Sequence, residues 1–191
     1  MDGTTGLTWR HLASASLVLA MLAGFALSPC GRSAEFGLGV SICLAAVLAL
    51  LGVIDIYTLR LPDPLTLGLL AAGLAVSALA GLNPFLHSAI GAVLGYALIR
   101  GLKIYWQHRR GEDGIGLGDA KLLAAAGAWT GWIGLPQILL FGSGLALVFV
   151  LIGKISGQIK DSNARIPFGP FLALGIWLIW RTGGVLEFAT L

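Results

Sequence analysis

The chain has 191 residues, of which 57% are hydrophobic and 11% are charged, and its mean hydropathy is +0.90. Because a soluble domain is roughly 45–50% apolar and about 25% charged, this composition excludes an ordinary soluble protein and predicts that lipid is the main solvent. The net charge of +3 is small and dispersed, so a nucleic-acid partner is also excluded.

Seven apolar segments approach the ~20 residues that a membrane-spanning helix needs. They cover residues 12–27, 36–54, 65–82, 86–102, 120–133, 135–153 and 167–180. The fifth segment is short, so the chain around Gly134-Leu135-Pro136 forms either a tight hairpin or one bent segment. The sequence therefore predicts an all-α fold, a polytopic membrane bundle of about six to seven transmembrane helices without a soluble domain.

The first segment partly resembles a signal peptide, because Arg10 and His11 precede a short apolar stretch that ends before Pro29 and Cys30. Pro29 directly before Cys30 argues against lipoprotein processing, and we favour an uncleaved helix. We therefore divide the chain into residues 1–35, a first membrane helix with a short outer loop, and residues 36–191, a single helical bundle.

Lysine and arginine residues predict the orientation, since cytoplasmic loops carry an excess of them. With a cytoplasmic N-terminus and seven alternating spans, ten of the twelve cations fall inside, and Arg32 and Arg181 fall outside. The opposite orientation reverses that count. The sequence thus places residues 55–64, 103–119 and 154–166 at the cytoplasmic face.

Two of the nine acidic residues adjoin apolar segments. Asp55 closes the apolar run 48–54, and Asp119 follows Gly116-Leu117-Gly118 and opens the next apolar segment. An ionisable side chain at membrane depth is costly, so it marks a function or a buried pair. The predicted topology puts both acids at one face, and packing of the second and fifth segments would bring the carboxylates together.

Two carboxylates in contact can share one proton, because like charges at short range resist joint ionisation. One can then act as a base on water while the other, protonated, polarises a carbonyl group. This is peptide hydrolysis without a covalent intermediate. Since Asp119 lies near a helix N-terminus and Asp55 near a C-terminus, we hypothesise that Asp119 is the base and Asp55 the proton donor at rest.

The sequence has no recognisable metal-binding pattern. Cys30 and Cys43 form no CxxC pair, and the three histidines are not spaced as a pair of ligands. We therefore expect neither a metal ion nor another cofactor.

Glycines and a proline pair flank the two acids. Gly116 and Gly118 would let a substrate backbone come close to Asp119, although a flexible loop before a helix has the same pattern. Asp63 precedes Pro64, which predicts a helix N-cap followed by proline at the first helical position. We therefore expect a structural role for Asp63 ahead of a catalytic one.

Lys121, Pro167 and Gly169 each have a functional and a structural interpretation. Lys121 holds the Asp119 carboxylate or a lipid phosphate, or it is an ordinary inside-facing cation. Pro167 and Gly169 either shape a bent entry to the last helix beside the site or form a plain helix start. The GxxxG patterns at 91–95 and 127–131 predict helix-packing surfaces. The six tryptophans are expected in interfacial belts.

Three motifs, taken in order, resemble the bacterial type IV prepilin peptidases. Residues 116–129, GLGDAKLLAAAGAW, look like the family's GxGD signature with its following K-L-L-A-A-x-G-A-W run. Ile54-Asp55 with residues 61–67 resembles the first aspartate motif, and residues 166–175 resemble the C-terminal motif. The resemblance covers roughly residues 45–180.

The resemblance implies a membrane aspartyl endopeptidase whose catalytic residues fall on Asp55 and Asp119. It implies a bacterial inner-membrane location, an active site facing the cytoplasm, and prepilins or type II secretion pseudopilins as substrates. Long members of the family carry two CxxC pairs in a region associated with N-methylation of the new pilin terminus. Here residues 28–35 join the first two spans with Cys30 alone, so we expect peptidase activity without methyl transfer.

Other functions remain open for the same acids. A proton relay or small transporter would use Asp55 and Asp119 at staggered membrane depths. An inactive scaffold of a secretion machine would keep them for structure. Presenilin-like proteases also use a GxGD aspartate, but the run after Asp119 favours the prepilin type, and archaeal preflagellin peptidases are closer still. Membrane lipids are expected partners, and the oligomeric state is left open.

Overall fold

The structure is a computed structural model that describes residues 37–110, 116–156 and 166–183. Within these ranges the chain forms five α-helices: α1 (Gly37–Thr58), α2 (Asp63–Ala80), α3 (Leu82–Arg110), α4 (Leu117–Ile155) and α5 (Gly169–Thr182). The predicted all-α class is confirmed for this part of the chain. The predicted segment 12–27, its processing and the division at residue 35 lie outside the described residues.

Four of these helices, α1 to α4, are long and apolar enough to cross a membrane. Their outer surfaces carry large apolar side chains, among them Leu79 and Ile155, which are 89% and 86% exposed. Exposed leucine and isoleucine on this scale are expected where the surrounding solvent is hydrocarbon. The chain is therefore a multi-pass membrane protein.

The chain reverses direction within α4, at Gly131, where the backbone leaves the helical region with φ 73° and ψ 177°. Glycine adopts this conformation readily because it has no Cβ. We call residues 117–130 α4N and residues 132–155 α4C. In α4C, Gly134 lies against Ile179 and Gly142 lies against Leu172. The segment α4C therefore runs antiparallel to α5.

The segment α4N runs the other way. Its Trp129 meets Trp180 near the end of α5, with ring centroids 5.2 Å apart. Its Asp119 shares a pocket with Asp55, which is hydrogen-bonded to Gly169 at the start of α5. The halves of α4 are thus the two arms of a tight helical hairpin, as one of the two sequence interpretations held. The turn lies three residues before the expected Gly134, and Pro136 lies within the second arm.

The segment α4N is the centre of the bundle, and residues 122–131 are all buried. It packs against α3 through glycine, since a Cβ on Gly127 would lie 2.2 Å from the backbone of Gly91. A Cβ on Gly95 would likewise lie 2.4 Å from the carbonyl oxygen of Leu123. Small residues allow this approach of two backbones in a membrane protein. The predicted packing role of both GxxxG patterns is confirmed.

The expectation of interfacial belts is wrong for three tryptophans. Trp129, Trp177 and Trp180 are at least 93% buried in the core. The indole N–H of Trp129 donates a 2.8 Å hydrogen bond to the carbonyl oxygen of Leu69. A buried indole is stable when its N–H finds such a partner, as that of Trp129 does, whereas Nε1 of Trp177 has no partner among the described residues. The burial of all three rings shows that they pack in the core and do not mark the membrane surface.

Replacing Gly127 with alanine is expected to destabilise the bundle by about 1–3 kcal/mol, because the added methyl group must push two backbones apart. Gly101→Ala, on α3, is the matched control, since nothing lies within 4 Å of a Cβ there. Thermal unfolding of both variants in detergent measures the difference. Equal unfolding temperatures for the two variants would contradict the close packing of α3 and α4N.

Candidate active site

Asp55 lies in the last turn of α1, three residues before its end at Thr58. Its side chain is buried, with 6% exposed. The backbone N–H of Gly169, at the first residue of α5, donates a 3.0 Å hydrogen bond to Oδ2 of Asp55. The start of α5 thereby fixes one oxygen of this carboxylate and leaves Oδ1 for other contacts.

Asp119 lies in the first turn of α4N and is half-buried. Gly116 precedes it at the N-cap position in an extended conformation, with φ −68° and ψ 134°. A Cβ at Gly116 would lie 3.4 Å from Oδ2 of Asp119. The glycine therefore leaves this face of the carboxylate uncovered.

The two carboxylates line one pocket of about 270 Å³. The rest of its lining comes from residues 59–61, just after α1, and residues 116–118, just before Asp119. Negative charge on Asp55 acts electrostatically on Asp119. Two acids that are 64 positions apart in sequence thus meet at one end of the bundle, because α5 and α4N run parallel and α1 packs against α5.

The structure places the other predicted residues at different distances from the acids. Gly116 and Gly118 line the pocket, and Gly169 contacts Asp55 directly. A Cβ on Gly118 would lie 3.0 Å from the Cβ of Leu61, so this glycine lets the two walls of the pocket touch. Pro167 is buried just before α5 and lies outside the pocket lining.

Asp63 is not the N-cap of α2, and this prediction is wrong. Pro62 occupies the N-cap position with ψ 128°, no side chain caps the helix, and Asp63 is the first helical residue. The carboxylate of Asp63 instead accepts a 2.5 Å hydrogen bond from Nζ of Lys121. The described partner of Lys121 is thus Asp63 and not Asp119.

Sequence reasoning missed the wall formed by residues 59–61. Leu59 adopts a left-handed conformation with φ 53°, which is uncommon for a residue other than glycine. Arg60 brings a cation to the edge of a pocket that holds two acids. The short connection could have predicted this wall. Only four residues separate α1 from α2, so residues 59–61 must lie close to Asp55.

This arrangement can activate a water molecule between two carboxyl groups. One carboxylate can take a proton from water while a protonated partner donates to a carbonyl oxygen. In the described ranges, no three His, Cys, Asp or Glu side chains cluster as metal ligands would. The two carboxyl groups in the pocket offer acid–base catalysis directly.

Comparison with known proteins agrees with this chemistry. The model of the Type IV leader peptidase family matches residues 42–151. The chain is 42% identical over 149 residues to the "Prepilin leader peptidase/N-methyltransferase" of Aeromonas salmonicida, which covers 76% of this chain and 50% of that protein. The protein of the same name from Escherichia coli K12 is 37% identical over 172 residues, or 87% of this chain and 72% of the relative.

A Burkholderia pseudomallei protein of that name is 40% identical over 166 residues, which is 86% of this chain and 51% of the relative. The chain thus spans about half the length of the Aeromonas and Burkholderia relatives. No solved structure matches the chain.

Proposed function

The chain belongs to the type IV leader peptidase family, and we propose that it is a membrane aspartyl endopeptidase that removes the short basic leader from prepilins or type II secretion pseudopilins. The observation that carries this proposal is the pocket shared by Asp55 and Asp119. It lies at a helix-bundle end, next to two glycines that leave room for a peptide backbone.

In the proposed reaction, one aspartate removes a proton from water and the water oxygen attacks the carbonyl carbon of the scissile peptide bond. The second aspartate donates its proton to the carbonyl oxygen. Collapse of the tetrahedral intermediate, a gem-diol, then breaks the C–N bond. The leaving amine takes a proton from the first aspartate, and one hydroxyl of the gem-diol returns a proton to the second aspartate. That Asp119 is the base and Asp55 the proton donor at rest stays a prediction.

Substrate access follows from the position of the pocket. The acids lie at the end of α1 and the start of α4N, and so at one end of the membrane helices. In a prepilin that spans the same membrane, the junction between the leader and the hydrophobic helix would lie at this level. The cation distribution of the sequence supports an orientation with this end at the cytoplasmic side. We therefore propose a multi-pass protein of the bacterial inner membrane that cuts its substrate at the cytoplasmic face.

The pocket geometry also favours hydrolysis over the alternative functions. A proton relay needs acids at successive depths across the membrane, whereas Asp55 and Asp119 line a single pocket at one end of the helices. An inactive scaffold has no need for two acids in one pocket, where their like charges would repel. Paired carboxylates beside an open pocket are the arrangement that acid–base hydrolysis requires.

The direct test is co-expression of the chain with a prepilin or a pseudopilin from its own organism. Leader removal would appear as a gel shift, and N-terminal sequencing of the product would locate the cut. Cleavage would establish the activity and identify the substrate type. If the well-folded chain cleaves neither substrate class, the proposal fails, and proton-flux measurements in vesicles would test the relay.

We expect no transfer of a methyl group by this chain, because residues 28–35 contain a single cysteine and no CxxC pair. The assay supplies purified protein with a mature pilin and radiolabelled S-adenosylmethionine. The Aeromonas salmonicida relative, whose name includes N-methyltransferase, is the positive control. Label incorporated by this chain at the relative's rate would overturn the prediction.

A further inference from the structure

One ion pair links two parts of the chain that lie directly behind the pocket. Lys121 follows Asp119 by two residues on α4N, and Asp63 follows Leu61 by two residues at the start of α2. Their 2.5 Å contact joins residues 58 positions apart. The two side chains are 27% and 58% exposed, so the pair lies at the surface of the bundle end and outside the pocket lining.

The same two parts of the chain form opposite walls of the pocket. Residues 59–61 provide one wall, and residues 116–119 provide the other. The walls touch where buried Leu61 packs against Gly118, with a Cβ-to-Cβ distance of 3.0 Å if Gly118 carried a side chain. The ion pair is thus a second link between the two walls, placed two residues beyond Leu61 on one side and three residues beyond Gly118 on the other.

The wall at residues 59–61 needs such a restraint. Leu59 has φ 53°, a conformation that branched and bulky side chains rarely adopt unless their surroundings fix it. The Thr58 hydroxyl lies 2.8 Å from the carbonyl oxygen of Ile54 and 3.0 Å from that of Arg60, which fixes the start of the turn. The end of the turn is fixed by Leu61 and by the anchored start of α2.

We propose that Lys121 and Asp63 are positioning residues for the aspartate pair, acting as an ionic clasp that sets the separation of the two pocket walls. This inference rests on the proposed peptidase function. Asp55 is four residues from Leu59, and Asp119 is two residues from Lys121, so a change in wall separation moves one carboxylate relative to the other. Catalysis by two groups on one water depends steeply on their spacing.

The alternatives for each residue make different predictions. If Lys121 served a lipid phosphate, Asp63 would have no part in activity. If Asp63 were a third catalytic acid, its loss would be as severe as that of Asp55, and no change at Lys121 would compensate. A clasp requires both charges together. Once one charge has been removed, removing the other must therefore lower kcat no further.

The test is a double-mutant cycle in cleavage of a prepilin by the full-length purified chain. Lys121→Gln and Asp63→Asn are each expected to lower kcat about 10-fold with KM changed less than about 2-fold, because spacing and not substrate contact is altered. The double variant should be no slower than either single variant. Lys121→Arg, which keeps the charge, should retain most of the activity. Lys154→Gln, near the C-terminal end of α4C and outside the pocket lining, is the control and should behave as wild type.

Each outcome decides one question. The clasp would be overturned if both single variants had wild-type kcat, or if their losses of kcat multiplied in the double variant. In either case, cleavage by wild type would still uphold the peptidase function. A loss confined to Lys121→Gln would also overturn it and indicate a lipid or substrate contact. Absence of cleavage by wild type would instead refute the proposed function. Unfolding temperatures of all variants show whether a loss of kcat reflects loss of fold.

Discussion

Asp119→Asn and Asp55→Asn are each expected to reduce leader cleavage by more than about 10³-fold, because acid–base catalysis by a positioned group contributes about 10²–10⁴-fold and the two acids act as a unit. An amide can neither remove a proton from water nor donate one to a carbonyl oxygen. The size of asparagine matches aspartate, so the packing around Oδ2 of Asp55 and beside Gly116 is retained.

The measurement is single-turnover cleavage of a prepilin by purified variants, with membrane levels and unfolding temperatures compared with wild type. The Asp55→Asn/Asp119→Asn double variant should be as inactive as each single variant, because the water is activated by both groups together. Asp119→Glu keeps the charge but moves the carboxylate by one methylene group, and it should also be severely impaired. Residual activity near wild type in either asparagine variant would remove that residue from the mechanism.

Gly169→Ala is expected to lower kcat by about 10²-fold, since a displacement of order 1 Å of a catalytic group has effects of that size. A Cβ at this position would lie 2.7 Å from Oδ2, 3.0 Å from Cγ and 3.2 Å from Cβ of Asp55. These distances are shorter than ordinary van der Waals contacts. Because Asp55 is buried, its carboxylate would have to shift to make room for the methyl group. Alanine keeps the backbone N–H, which means that the variant tests the position of Asp55 and not the loss of a donor.

Two substitutions of the same kind control for the general effect of glycine loss. Nothing lies within 4 Å of a Cβ at Gly68 or Gly144, which are in helices α2 and α4. Gly68→Ala and Gly144→Ala should keep full activity and unfold at the same or a higher temperature, since alanine favours helix. If Gly169→Ala cleaves as fast as these controls, the approach of α5 to Asp55 has no catalytic importance.

Part of the fold could be predicted from the sequence because it depends on local composition. The apolar segments 36–54, 65–82 and 86–102 correspond to α1, α2 and α3, since a run of apolar residues in lipid must satisfy its backbone as a helix. The prediction of α3 ended eight residues early, at residue 102, because Lys103 interrupts the apolar run and the last turn, residues 107–110, is polar and basic. A helix that continues beyond the apolar part of the membrane cannot be detected there by its hydropathy.

The hairpin within α4 shows where local reasoning fails. Proline at 136 suggested a break near that residue, yet the second arm accommodates it close to its start. The reversal lies at Gly131, where His87 and the backbone of α3 lie close by. Several glycines in this stretch can adopt a positive φ, and packing against α3 and α5 selects which of them does so.

The sequence by itself determined that this protein is a lipid-embedded helical bundle with two acids next to apolar segments, and its motifs determined the family. Those properties follow from composition and from short runs of adjacent residues. Only the tertiary structure decided that Gly169 donates to Asp55, that Lys121 pairs with Asp63, and that residues 59–61 form a wall of the pocket. Each of these contacts joins residues 50 or more positions apart, and such contacts depend on how the helices pack together, which no local pattern encodes.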